Sequence, residues 1–455
     1  MATSRNQGWY WVVAILVPLL CIWLYAGKSR VVKKTSDDQK TVTIITWEGD
    51  LIGESPDIKI ARTLREEFAR THPSIKVIHR TAPSGEQRKV YATAMAGGTG
   101  PDLSLISGVN TRTYIEEGFA ADITDLLEEW RELDNIYPNM LKPVIKNNRY
   151  YGLPTEYYMM YLAYRTDIYQ KVGLDPVKPP KTWEEFIDYA QRLTNKAENR
   201  YGFGILGMDF CAWHFMDYVW QAGGDFMRVD PKTKKMISIF HEEPGIVALQ
   251  FYKDLRWKYD VIQNNVLQDV RDLVNDFVTG RCAMYKFYAQ DMSTLLLAGL
   301  TTDQIGLAPL PSGPAKVPAS QMAPLVYIIN PTSSKEKQRA AFEYIRFQVS
   351  KETMIKRCKL QEKYDILAPT IPLWKGIQLS DIVKFPEQWS KAIEEQSKFA
   401  RPEPFFPQWD KVKQYLIQPI QAVLLEPNAD PRKEMIKCSK RVQKELFDKF
   451  GPVDL

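Results

Sequence analysis

Three features of the sequence predict an α/β protein with two lobes behind an N-terminal membrane segment. Short β-branched runs alternate with stretches of helical period, which implies βαβ units and a parallel sheet. A second series of the same kind begins near Tyr150. An uncharged apolar stretch covers residues 9–26.

As a helix, residues 9–26 would be about 27 Å long, close to the thickness of a hydrocarbon core. Trp and Tyr stand at both ends of the stretch, as side chains do at a membrane interface. Leu24, Tyr25 and Ala26 fit the small-residue cut of a signal peptide poorly, and Pro18, Leu19 and Leu20 match a lipoprotein cut before Cys21 badly. An uncleaved anchor over residues 1–27 is therefore expected, with a cleaved signal peptide as the other reading. Arg5 alone precedes the stretch, whereas Lys28, Arg30, Lys33 and Lys34 follow it. Charge bias alone would leave the bulk of the chain in the cytoplasm. Residues 28–40 are polar and aperiodic and read as a linker.

Residues 41–46 are β-branched and short, as a buried parallel strand is. Ile60, Ala61, Leu64 and Phe68 recur at helical spacing. Residues 74–80 alternate apolar and polar and return to a strand. Val90, Ala94 and Met95 mark a second helix, ended by the Gly- and Pro-rich residues 97–101. Residues 102–107 form a third strand. In the second series, Thr182 and Glu185 make a capping box, opening a helix whose Trp183, Phe186, Ala190 and Leu193 share a face. Residues 244–258 follow as a helix with Val247, Phe251 and Leu255 in register. Ser333 and Glu336 form a further capping box ahead of Ala340, Tyr344 and Phe347.

Composition narrows the function. A chain of 455 residues exceeds the usual size of one domain, and 45% hydrophobic with 25% charged residues is ordinary for a globular protein. Sixty Lys and Arg against 55 Asp and Glu are interspersed, so no concentrated field favours nucleic acid. The four histidines lie at no metal-ligand spacing, and the five cysteines include no CxxC pair. No metal or cofactor is therefore expected. Cys282 sits in an apolar run and reads as a small buried residue, while spacing leaves the state of Cys211, Cys358 and Cys438 open. Gly202, Gly204 and Gly207 satisfy GxGxxG, but Phe203, Ile205 and Leu206 read as a strand, so dinucleotide binding is set aside. No P-loop, HExxH or GxSxG elbow is present. What stands out is aromatic content, at 12%, with 12 Trp and 23 Tyr.

The order of segments carries a family likeness. Ile44-Ile45-Thr46-Trp47 is followed by Pro73-Ser74-Ile75-Lys76-Val77, Gly98-Thr99-Gly100-Pro101-Asp102-Leu103 and Gly118-Phe119-Ala120-Ala121-Asp122. Tyr151-Gly152-Leu153-Pro154 precedes Leu162-Ala163-Tyr164-Arg165-Thr166-Asp167, and Pro180-Lys181-Thr182-Trp183-Glu184-Glu185-Phe186 comes next. Gln221-Ala222-Gly223-Gly224-Asp225, Phe277-Val278-Thr279-Gly280-Arg281 and Pro309-Leu310-Pro311 continue the series. This order resembles the extracytoplasmic solute-binding proteins of ABC transporters, specifically the maltodextrin-type sugar binders. The resemblance implies a two-lobe, type II-like periplasmic-binding-protein fold with three hinge crossings, near residues 155–157, 320–323 and 367–372. Lobe I would comprise 41–155 plus 323–367, and lobe II 156–322 plus 368–455. It also implies an extracytoplasmic location, outweighing the charge bias because large domains translocate despite flanking charge. An ABC permease would be the partner. The anchor departs from the family's usual signal peptide or lipid-modified cysteine.

Ligands in open α/β sheets bind beyond the carboxyl ends of strands, and pockets favour domain interfaces. A pyranose needs flat aromatic surface for its C–H face, and carboxylates or amides for its hydroxyls. The candidates at such positions are Trp47, Glu48 and Asp50 after the first strand, and Ser107 and Asn110 after the third. Glu156 and Tyr157 stand at the first crossing, Trp213 and Trp220 before the Gly223-Gly224 turn, and Tyr285 by a later strand. Phe405 and Trp409 lie in a Pro-broken segment. Trp183 reads as core, and Trp130, Trp257 and Trp389 as helix packing. Two alternatives stay open: hydrolysis by Glu48 and Glu156, and a non-sugar ligand such as a glycerophosphodiester, polyamine or peptide. A phosphate would draw on Arg112, Arg165 or Arg401.

Overall fold

The computed structural model describes residues 41–48, 53–81, 87–208, 210–366, 369–404, 406 and 408–453. The expected anchor and linker, and the candidates Asp50 and Phe405, lie outside the described residues. From Val42 onward the chain forms one unit.

The first series folds as expected. Strand β1 (Val42–Glu48), helix α1 (Pro56–Thr71), β2 (Ile75–Thr81), α2 (Gln87–Ala96) and β3 (Leu103–Ser107) follow in order, and β1 pairs in parallel with both β2 and β3. Pro56 opens α1, where a missing N–H costs nothing, and Ile60, Leu64 and Phe68 are its buried stripe. A hairpin of β4 (Ile145–Lys146) and β5 (Arg149–Tyr150) leads to β6 (Leu153–Arg165). Then come helix α3 (Trp183–Leu193), β7 (Tyr201–Gly204), α4 (Cys211–Gln221), the hairpin of β8 (Met227–Val229) and β9 (Met236–Ser238), and α5 (Glu243–Trp257). Helix α6 (Val270–Val278), β10 (Cys282–Tyr288), β11 (Ile305–Ala308), β12 (Ser320–Ile329), α7 (Lys335–Val349) and β13 (Thr370–Ile371) continue the chain. Helix α8 (Glu387–Ser397), β14 (Ala400–Pro402), α9 (Trp409–Leu425) and α10 (Pro431–Glu445) complete the elements used below.

The sheet order is β2-β1-β3-β12-β6-β10-β7, with β11 and β13 on β6 and β14 on β12. Two sheets meet at β6, which at 13 residues is long enough to serve both. Its early part pairs with β12 beside β3, and its later part with β10 and β11. At the junction Tyr158 pairs with Ala323 of β12 and with Thr370 of β13. The segments read from the sequence as crossings therefore lie side by side. Strands β10 and β12 are buried along nearly their whole length, as central strands covered on both faces are.

Local readings hold with small shifts. All four face residues of α3 are buried, and Thr182 Oγ1 accepts the Glu185 N–H at 3.3 Å. Glu185 in return accepts the Lys181 N–H rather than that of Thr182. The cap of α7 is Ser334, not Ser333; its side chain accepts the Lys337 N–H. The GxGxxG stretch is explained by packing, since a Cβ on Gly202 would run into the Ala190 carbonyl and one on Gly207 into that of Val266. Cys211, Cys282, Cys358 and Cys438 are buried.

Candidate functional site

Side chains on a strand alternate between faces, and at the junction this sorts β6 and β10 into a wall face and a core face. On the wall face, the rings of Tyr158 (β6) and Tyr288 (β10) lie 5.6 Å apart. Trp213, in the first turn of α4, meets Tyr288 edge to face at 5.0 Å, and Phe210 meets Trp213 at 6.1 Å. Trp213 and Tyr288 are half-buried, and Phe210 is 59% exposed. Phe210 holds the left-handed backbone conformation, φ 65°, immediately before α4, which is uncommon for a bulky residue.

Beneath the wall, Lys286 and Asp217 form an ion pair at 2.5 Å with both side chains almost fully buried. Lys286 Nζ also donates to the His214 carbonyl at 2.7 Å. Burial pulls the Lys286 ammonium below its ordinary value and pushes Asp217 up, each against the attraction of the other. Burial and the Lys286 charge hold the His214 ring well below its usual range, so it is neutral at pH 7. The wall is also tied down laterally. Glu403, just after β14, accepts the Trp213 indole N–H at 2.8 Å, the Trp409 indole N–H at 2.6 Å and Lys413 Nζ at 2.9 Å. Gln321 of β12 donates to the Trp213 carbonyl at 2.6 Å.

The β3 side of the junction supplies polar atoms. Gly108 lies so close to Pro324 of β12 that a Cβ would not fit, which brings the Gly108–Asn110 turn against the crossing strands. Asn110 Oδ1, Thr111 Oγ1 and Gln408 Oε1 are buried without a hydrogen-bond partner among the described residues. A cavity of about 440 Å³ is bounded by Gln408 and residues 450–453 together with Arg112, Glu116 and Lys146. The half-exposed rings of the wall suit a ligand with an apolar face.

Several sequence candidates are placed elsewhere. Tyr157 and Tyr285 are on the core face: the Tyr157 hydroxyl donates to the Met140 carbonyl, and Tyr285 packs between Phe277 and Phe287. Their neighbours Tyr158 and Tyr288 take the wall face instead, a shift of one and three positions that reverses the side. Trp409 is 2% exposed between Phe226 and Phe406, a core position and not a stacking surface. Trp220 is buried too, with its N–H on Asp225 at 3.3 Å and the Arg401 guanidinium 4.3 Å over its ring. Glu48 is 5% exposed and accepts from Arg65 at 3.1 Å and from the Tyr344 hydroxyl at 3.2 Å, with His79 at 3.5 Å. Burial raises its carboxyl, but His79, Arg65 and Tyr344 outweigh that and hold it below the ordinary value. It is a packed internal carboxylate, unfit as a hydrolytic acid. Trp47 stays half-buried at the end of β1, edge-on to Tyr91 at 6.2 Å, and Ser107 and Asn110 stay half-buried at the end of β3. Glu156 lies on β6, and its side chain is outside the described ones.

The arginines weighed for a phosphate have acidic neighbours. Arg165 pairs with Asp167 and donates to the Phe277 and Val278 carbonyls, Arg401 pairs with Asp225 at 2.7 Å, and Arg112 with Glu116 at 2.9 Å. Sequence reasoning missed Phe210, Tyr158, Tyr288, Gln321 and Glu403. One signal was available: Lys286, a charge inside the apolar run of β10, marks the parity of the strand's polar face, which Tyr288 shares.

Residues 53–355 match the family of bacterial extracellular solute-binding proteins. The chain belongs to that family. A binding protein of Brucella abortus is 21% identical over 373 residues, 80% of this chain and 85% of its own. The sn-glycerol-3-phosphate-binding periplasmic protein UgpB of Pectobacterium atrosepticum is 22% identical over 240 residues, 50% of this chain and 51% of its own. Among solved structures, a solute-binding protein of Thermotoga lettingae bound with α-D-tagatose superposes with a TM-score of 0.74 at 23% identity, over 89% of this chain and 99% of that one. UgpB of Mycobacterium tuberculosis in complex with glycerophosphocholine gives 0.74 at 19%, over 90% and 100%. This solute-binding protein thus has the two-lobe α/β fold of the family, acts outside the cytoplasm and is a binder rather than an enzyme. Among the described residues no helix is long and apolar enough to cross a membrane.

Proposed function

We propose that this solute-binding protein captures a carbohydrate between two hinged lobes and delivers it to an ABC permease. The lobes are residues 41–155 plus 323–367 and residues 156–322 plus 368–455, and residues 9–26 tether the protein to the cytoplasmic membrane. The observation that carries the reading is the wall of Phe210, Trp213, Tyr288 and Tyr158 at the junction of β6 and β10. An aromatic face replaces water on the C–H side of a sugar ring. Trp47 stands near the end of β1 and Asn110 follows β3; a ligand touching them as well as the wall binds the closed form better and shifts the equilibrium toward it. Side-by-side β6, β12 and β13 are the hinge.

A second reading, a glycerophosphodiester, is favoured by the UgpB relatives and by the partly exposed Arg401 guanidinium over Trp220. Its pairing with Asp225 weakens it as a phosphate ligand. A thermal-shift screen of mono- and oligosaccharides beside glycerophosphodiesters separates the two, because a ligand of the native state raises the melting temperature. A rise with carbohydrate alone supports the first reading, and a rise with glycerophosphodiesters alone replaces it with the second. N-terminal sequencing of the mature protein tests the tether: a chain beginning after residue 26 overturns it.

A further inference from the structure

Glu403 lies where two helix starts of unusual geometry converge. It is 2% exposed, and each of its carboxylate oxygens takes one indole N–H, from Trp213 of α4 and from Trp409 of α9. Both helices begin after a non-glycine residue in the left-handed region, Phe210 at φ 65° and Gln408 at φ 74°. Such backbone persists only where its surroundings hold it, and it gathers at binding sites. The two indoles differ in setting. Trp409 is packed into the core between Phe226 and Phe406, whereas Trp213 is half-buried and forms part of the aromatic wall. Lys413, at 2.9 Å, pairs with the buried carboxylate.

We propose that Glu403 is a positioning residue for ligand binding: anchored on the core indole of Trp409, it fixes the ring of Trp213 in the orientation that stacks on the ligand. The proposal rests on the carbohydrate-binding reading of the wall. A loose indole would have to be ordered when ligand binds, which weakens affinity; one already held does not. Only a group with two acceptor oxygens serves both indoles. An amide in its place turns a donor toward one of them.

The test compares the wild type, Glu403→Gln, Trp213→Phe and the double variant in the full chain. The first readout is the hydrogen exchange of the Trp213 indole N–H, its resonance identified by its loss in Trp213→Phe. The second is calorimetric affinity for maltotriose, D-tagatose and glycerophosphocholine, and the third is melting temperature. In Glu403→Gln the indole proton exchanges faster, and affinity for whichever probe the wild type binds falls about tenfold. In the Trp213→Phe background the same substitution weakens binding no further, because the effect passes through the indole N–H. Unchanged indole protection in Glu403→Gln overturns the proposal, as does an equal loss of affinity in both backgrounds. If Glu403→Gln does not fold, adding Lys413→Met removes an ammonium then paired only with Asp410, and the same readouts apply. If none of the probes binds the wild type, the carbohydrate reading fails while indole exchange still decides whether Glu403 holds Trp213.

Discussion

Trp213 and Tyr288 meet edge to face, their ring centroids 5.0 Å apart and their planes at 79°, one from the first turn of a helix and the other from the end of a strand. Both are half-buried, so each keeps ring surface for a ligand. Trp213→Ala is expected to weaken carbohydrate binding by roughly 1–3 kcal/mol, as loss of an aromatic anchor does. Titration calorimetry checks it, and affinity equal to wild type removes Trp213 from the site.

Trp409 behaves differently. Its ring is packed against Phe226 and Phe406 with 2% of its surface exposed. Trp409→Ala leaves a cavity and is expected to lower stability by about 3–5 kcal/mol. Urea unfolding measures this directly. A stability loss under about 1 kcal/mol would mean that the ring is not a core element.

The Glu48 carboxyl is raised by burial but held below its ordinary value by His79, Arg65 and Tyr344. A depressed carboxyl contributes stability that is present above its unfolded value, about 4.3, and is lost as pH falls through the lower folded value. Glu48→Gln should therefore be less stable than wild type at pH 7, and the gap should close as the pH drops below about 4. Melting temperatures of the pair across pH 3–8 (a range set by the carboxylate reference values) test the sign; a gap that widens on acidification contradicts it.

Gly202 abuts the Ala190 backbone, where α3 crosses β7. Gly202→Ala should cost about 1–3 kcal/mol of stability by overpacking. Added NAD should leave the wild-type melting temperature unchanged, since the glycines close a helix–strand contact and open no phosphate loop. Stabilisation by NAD would reverse that assignment.

Helices and strands were legible because their signals are local. Trp183, Phe186, Ala190 and Leu193 repeat at the helical period, and all four are buried. Adjacent serines at 333 and 334 are equivalent in pattern, so the cap of α7 was displaced by one residue. The candidate site was legible only as segments. Tyr157 and Tyr285 were singled out, one and three positions from the wall residues Tyr158 and Tyr288, because a two-residue period cannot say which parity faces the wall until a neighbouring strand fixes it. Trp213 and Trp409 look alike in sequence, and only the packing of Phe226 and Phe406 separates a core indole from a wall indole. Glu403 carried no sign at all, because its partners come from residues 190 and six positions away in the chain.

Calorimetric titration of the protein with maltooligosaccharides and, in parallel, with glycerophosphocholine, followed by recovery of the small molecule, bears most directly on what this receptor takes up. The account predicts saturable single-site heat with a carbohydrate, which is then recovered intact. Heat with glycerophosphocholine alone, or recovery of shortened sugars, would contradict it.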